Sequence, residues 1–99
     1  DFPPADEEVK VLTSATGIPA DKAAVIVDIA IQTRKKWETD DLESPISTRT
    51  LKAAAMLVAS GMSILQAMEY TALPLYKNDG GATSERAMVK LILTGKSKA

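Results

Sequence analysis

Apolar positions recur along this chain at helical spacing, broken by short polar stretches that carry proline, glycine and capping residues. This pattern predicts five helices and almost no strand. Pro3 and Pro4 precede Ala5-Asp6-Glu7-Glu8, a proline-led helix start with acids in the first turn, where the helix dipole favours them. Val9, Leu12 and Ala15/Thr16 supply the apolar stripe of this helix, and Gly17 is a natural stop. Pro19 opens the next segment, Ala20 to about Glu38. Its centre, Ala23 to Ile31, is rich enough in Val and Ile to pass for a buried strand. The segment nevertheless runs without Gly or Pro for longer than strands do, so a helix is expected. Arg34, Lys35 and Lys36 fall in its last turns, where the dipole prefers cations, and read as a solvated helix end.

Thr39 to Pro45 is a polar, acidic connector. Ser47 is a good N-cap for a third helix, Thr48 to Ser60, closed by Gly61 and with Leu51, Ala54, Ala55 and Val58 on its apolar face. Ser63 followed by Gln66 is a capping-box pattern, and the fourth helix it opens should stop near Leu73, ahead of Pro74. Lys77 to Gly81 reads as a turn. Thr83 or Ser84 caps a last helix through Leu93, with Gly95 beyond it and a frayed tail from Lys96 to Ala99. No internal repeat is visible, and one core is implied. The expected class is all-α: a small bundle of about five helices forming a single domain over residues 1–99.

Composition narrows the function. The apolar share of 45% and charged share of 25% are those of an ordinary globular protein, while 4% aromatics means an aliphatic core. A net charge of −1 without a one-sign tail argues against a dedicated DNA-backbone binder. The chain has no Cys and no His, which removes zinc fingers, thiol nucleophiles, catalytic triads, imidazole bases and disulfides, and is compatible with a cytoplasmic setting. The longest apolar run, Ala53 to Ala59, is far short of the ~20 residues that span a bilayer.

No G-x-x-x-x-G-K-[ST] loop is present, and Gly80-Gly81 reads as a turn rather than a phosphate cradle. Asp40, Asp41 and Glu43 could suggest a metal site, but they lack the spacing and glycine of a calcium loop and read as a solvated connector. No carboxylate pair stands out as general acid and base, so the chain by itself is expected to be non-catalytic and to bind no metal. Met56, Met62, Met68 and Met88 read as core fillers, with a Met-rich groove as the alternative. Trp37 reads as a packing anchor, or else as a side chain facing a neighbouring domain or subunit.

The informative stretch is Ser44-Pro45-Ile46-Ser47-Thr48-Arg49-Thr50-Leu51. An Arg in the first turn of a helix sits against the positive end of the dipole. Chance can put it there. The functional alternative is that Arg49 meets an anion supplied from outside, since open helix-start amides and a guanidinium fork both suit a phosphate.

These residues resemble a known family. Asp1-Phe2-Pro3-Pro4 with its acidic helix start, then Ile46-Ser47-Thr48-Arg49-x-Leu51-x-x-Ala54-Ala55-x-Leu57-Val58-x-x-Gly61, is similar to the C-terminal helical lid of MoxR-type AAA+ ATPases, in particular the CbbQ/NorQ/NirQ/GvpN branch. The turn at Lys77 to Gly81 departs from the Asp-rich sequence often found there in that branch. The resemblance implies a nucleotide-sensing lid in which Arg49 is the sensor-2 residue that reaches the γ-phosphate of ATP. ATP and Mg2+ would be held by an ATPase core subdomain that has no counterpart in these residues. It further implies a homo-oligomeric ring in the cytoplasm that remodels or activates a client complex, commonly with a von Willebrand factor A-type partner protein. A chain opening on Asp1 without Met then reads as the C-terminal fragment of a longer ATPase. Two rivals stand beside this reading. One is a free-standing helical protein–protein interaction module using Trp37 or the Met residues. The other is a helical nucleic-acid-binding module using Lys35, Lys36, Arg49 and Lys52, against which the near-neutral charge counts.

Overall fold

A computed structural model describes residues 2–76 and 85–97. Those residues form α1 (Ala5–Thr16), α2 (Ala20–Glu38), α3 (Thr48–Ala59), α4 (Ile64–Thr71), a 3₁₀ turn at Leu73–Leu75, and α5 (Glu85–Ser97), with no strand among them. The all-α expectation holds, including the helix across Ala23 to Ile31. The expected turn at Lys77 to Gly81 and the caps at Thr83 or Ser84 lie outside the described residues.

The helix ends follow local chemistry. Gly17 terminates α1 in the left-handed region (φ 80°), its amide donating to Thr13 O. Gly61 (φ 113°) ends α3 in a Schellman arrangement, in which the Gly61 amide bonds Val58 O and the Met62 amide bonds Leu57 O. The same device ends α2 without any glycine. Asp40 takes φ 63°, its amide reaching Trp37 O while that of Asp41 reaches Lys36 O. Asp is among the few side chains that tolerate this conformation. Ser63 and Gln66 form the expected capping box.

Two boundaries differ from expectation. α4 stops at Thr71 and the chain passes through Pro74 as the 3₁₀ turn. α5 does not end near Leu93: Gly95 lies inside the helix, which continues to Ser97. A glycine stops a helix only when it adopts positive φ, and Gly95 keeps negative φ at an exposed position.

The helices close around one aliphatic core. α1 packs on α2 and α3, α4 lies against α3 and α5, and α5 returns to α2. Leu51, Ala54, Ala55 and Val58 are all buried, as the spacing on α3 predicts. Of the methionines, Met68 is fully buried and Met62 and Met88 pack at the edge of the core. Met56 corrects the core-filler reading, being 63% exposed on the opposite side of α3.

The acidic connector between α2 and α3 is held from both sides. Its Leu42 is buried, the Glu43 amide donates to a Glu85 carboxylate oxygen on α5 (2.6 Å), and the Tyr76 hydroxyl donates to Ser44 O (3.0 Å). Arg86 on α5 in turn donates to Tyr76 O. Burial of the Tyr76 phenol, together with the nearby Glu85 charge and against a hydrogen bond with Thr33, pushes its pKa up from 10.0 to about 12. The fold therefore holds the neutral phenol. The stability that follows is fully present below pH 10, the unfolded value, and is lost as pH rises toward about 12. Denaturant unfolding at stepped alkaline pH should show the native chain losing more stability across this window than Tyr76→Phe does. Parallel losses in the two proteins would remove Tyr76 as the cause.

Candidate functional site

The segment from Ser44 to Leu51 is built into the bundle by a buried polar cluster. Ser47 caps α3, its hydroxyl accepting from the Thr50 amide. Thr48 donates its hydroxyl to Glu8 Oε2 on α1 at 2.9 Å. Glu8 is fully buried and is gripped by Arg34 of α2 through two parallel hydrogen bonds of 2.7 and 2.8 Å. Arg34 Nε and Nη2 also donate to Ile46 O (3.2 and 3.1 Å), and the Ile46 amide donates to Thr33 Oγ1 (3.5 Å). Every buried side-chain oxygen and nitrogen among the described residues is satisfied. One bidentate ion pair thus joins α1 to α2 and pins the start of α3 to both.

Within this cluster Glu8 is a first-turn acid as expected, and it is also fully buried. The cluster corrects one expectation: Arg34, only 7% exposed, is not part of a solvated basic helix end. Lys35 and Lys36 alone fit that description. The signal was present in the periodicity. Glu8 precedes Leu12 by one helical turn on the same stripe, and Arg34 follows Ala30 by one turn on the buried face of α2. Two opposite charges on two apolar stripes are the pattern of a buried pair.

Above the cluster lies an aromatic cover. The Phe2 ring sits over the Arg34 guanidinium, 3.9 Å from its carbon to the ring centroid, and meets Trp37 edge to face at 6.3 Å. Phe2, Trp37, Arg34 and Glu38 line a common depression. Trp37 is 42% exposed, so the packing-anchor reading is corrected: the ring covers the outer end of α2 and does not fill the core.

Arg49 occupies the first turn of α3 with its side chain exposed. It makes no ion pair or side-chain hydrogen bond among the described residues. Lys52, three residues on, is also exposed. The first turn of α3 contains no acid. Asp40, Asp41 and Glu43 belong to the connector, and no cluster of three potential metal-ligating side chains occurs among the described residues. None of the described helices is long and apolar enough to cross a membrane.

The described residues thus form a small all-α bundle with an exposed arginine at a firmly anchored helix start. The chain belongs to the CbbQ/NirQ/NorQ C-terminal family, whose model matches residues 8–93, and it is accordingly the helical lid of a MoxR-type AAA+ protein. Comparison with curated proteins gives no match.

Proposed function

We propose that this chain is the nucleotide-sensing lid of an AAA+ ATPase and that Arg49 is its sensor-2 arginine. The observation that carries the reading is the exposed Arg49 side chain, unpartnered among the described residues, in the first turn of α3. Here it works against the dipole, at a small cost that an external anion would offset. The γ-phosphate of ATP, held with Mg2+ on an ATPase core subdomain, supplies that anion. A phosphate bridging the two subdomains favours their closed arrangement, and loss of the γ-phosphate removes the differential contact. Exposed Phe2 and Trp37 give the lid an aromatic edge suited to packing on that core. In this reading the protein works as a cytoplasmic homo-oligomeric ring that remodels a client complex with a von Willebrand factor A-type partner.

The test is ATP hydrolysis by the protein that carries this chain together with its ATPase core. Arg49→Ala should lower the rate at least about tenfold, or ~1.4 kcal/mol of lost stabilisation. Arg49→Lys should rescue poorly, because a point charge does not reproduce the planar fork. Folding stability of the 99-residue chain should change by less than about 0.5 kcal/mol on Arg49→Ala, as at an ordinary surface position. A destabilised chain with unimpaired hydrolysis would make Arg49 a structural residue.

A further inference from the structure

We infer that Thr48 and Glu8 are positioning residues for Arg49, the buried Glu8 carboxylate fixing the rotational setting of the first turn of α3 through the Thr48 hydroxyl. The inference rests on the sensor reading of Arg49 and adds to it the device that aims the side chain.

The geometry places restraints on both sides of the helix start. Two residues before Thr48, the Ile46 carbonyl is held by Arg34 and its amide faces Thr33 Oγ1. Thr48 itself is tied to Glu8 Oε2 at 2.9 Å. The carboxylate cannot drift, because it is fully buried and Arg34 binds both of its oxygens. Arg49 is the next residue along the chain, so the direction of its Cα–Cβ bond is set by groups on α1 and α2.

Stability alone does not call for the Thr48 bond. Ser47 already caps α3, Leu51, Ala54, Ala55 and Val58 already bury its inner face, and Glu8 is already paired by Arg34. What the extra bond adds is angular definition of the turn that carries Arg49. A displacement of about 1 Å at a group that contacts a reacting phosphate can cost as much as ~100-fold in rate.

A double-mutant cycle on ATP hydrolysis tests this, using the protein that carries this chain with its ATPase core. Thr48→Val keeps the side-chain shape and removes the donor. It should lower kcat about three- to tenfold when Arg49 is present and less than about 1.5-fold in an Arg49→Ala background, because both changes act through one group. Thr48→Ser, which retains the hydroxyl, should restore most of the rate. The melting temperature of the 99-residue chain should fall by no more than about 5 °C with Thr48→Val.

A merely structural Thr48 would give equal losses in both backgrounds, and that result overturns the inference. So does an unimpaired Thr48→Val protein in which Arg49→Ala is strongly impaired, and in that case the sensor reading survives. An unimpaired Arg49→Ala protein overturns the sensor reading and this inference with it.

Discussion

Glu8→Gln should destabilise the chain by about 3–5 kcal/mol, the cost of breaking a buried ion pair from one side. Glutamine has nearly the volume of glutamate, so packing is preserved and the loss is electrostatic. One carboxylate oxygen becomes an NH2 group. Placed toward Arg34 Nη1 it sets donor against donor; placed at Oε2 it faces both Arg34 Nη2 and the Thr48 hydroxyl. In either orientation the guanidinium charge is left buried without a counter-charge, beneath Phe2 and with only neutral acceptors, the remaining amide oxygen and the Ile46 carbonyl, for compensation. Total stabilities of small domains are only about 5–15 kcal/mol, so the variant should be marginal near room temperature. Replacing both partners, as in Glu8→Met with Arg34→Met, should recover most of the loss, because neither charge then needs desolvating. Urea unfolding followed by circular dichroism measures both. A Glu8→Gln chain within about 0.5 kcal/mol of the parent would show that the pair is not holding the start of α3.

Leu51→Ala should cost about 2–5 kcal/mol, for a different reason. Leu51 is fully buried on the first turns of α3, where it packs in the core shared with α1 and α4. Removing its isobutyl group forfeits the transfer free energy of the lost carbons and leaves a cavity that helices pinned by the Glu8–Arg34 cluster have little freedom to close. The neighbouring change Lys52→Ala, on the exposed side of the same turn, should stay within about 0.5 kcal/mol. The contrast, read by the same unfolding experiment, checks which face of α3 carries the fold. Comparable losses at the two positions would contradict the packing described here.

Most helix existence was legible because it rests on local chemistry. The Ser47 and Ser63 caps, the stops at Gly17 and Gly61, and the face Leu51, Ala54, Ala55, Val58 all depend on residues within a few positions of one another. The end of α5 departs from its local signal because glycine permits a left-handed stop without requiring one, and at Gly95 the helix continues. The Schellman end at Asp40 has no comparable local signal, since aspartate tolerates the conformation without requiring it.

The candidate site divides in the same way. Arg49 stood out because its charge conflicts with the local dipole, a conflict readable within one turn. The Glu8–Arg34 pair did not, because it joins residues 26 apart and each partner has an innocent local explanation as a dipole-matched end charge. Trp37 and Met56 were drawn toward the core by their hydrophobicity, yet they sit on helix faces that the bundle leaves open. Composition says how much apolar surface must be buried, and only tertiary packing says which residues are left out.

If Arg49 senses the γ-phosphate as proposed, the effect should appear in the nucleotide affinities of the protein that joins this lid to its ATPase core. Arg49→Ala should weaken binding of a non-hydrolysable ATP analogue at least about tenfold, or ~1.4 kcal/mol, while leaving ADP affinity within about twofold. Equal weakening of both nucleotides, or of neither, would contradict the sensing role.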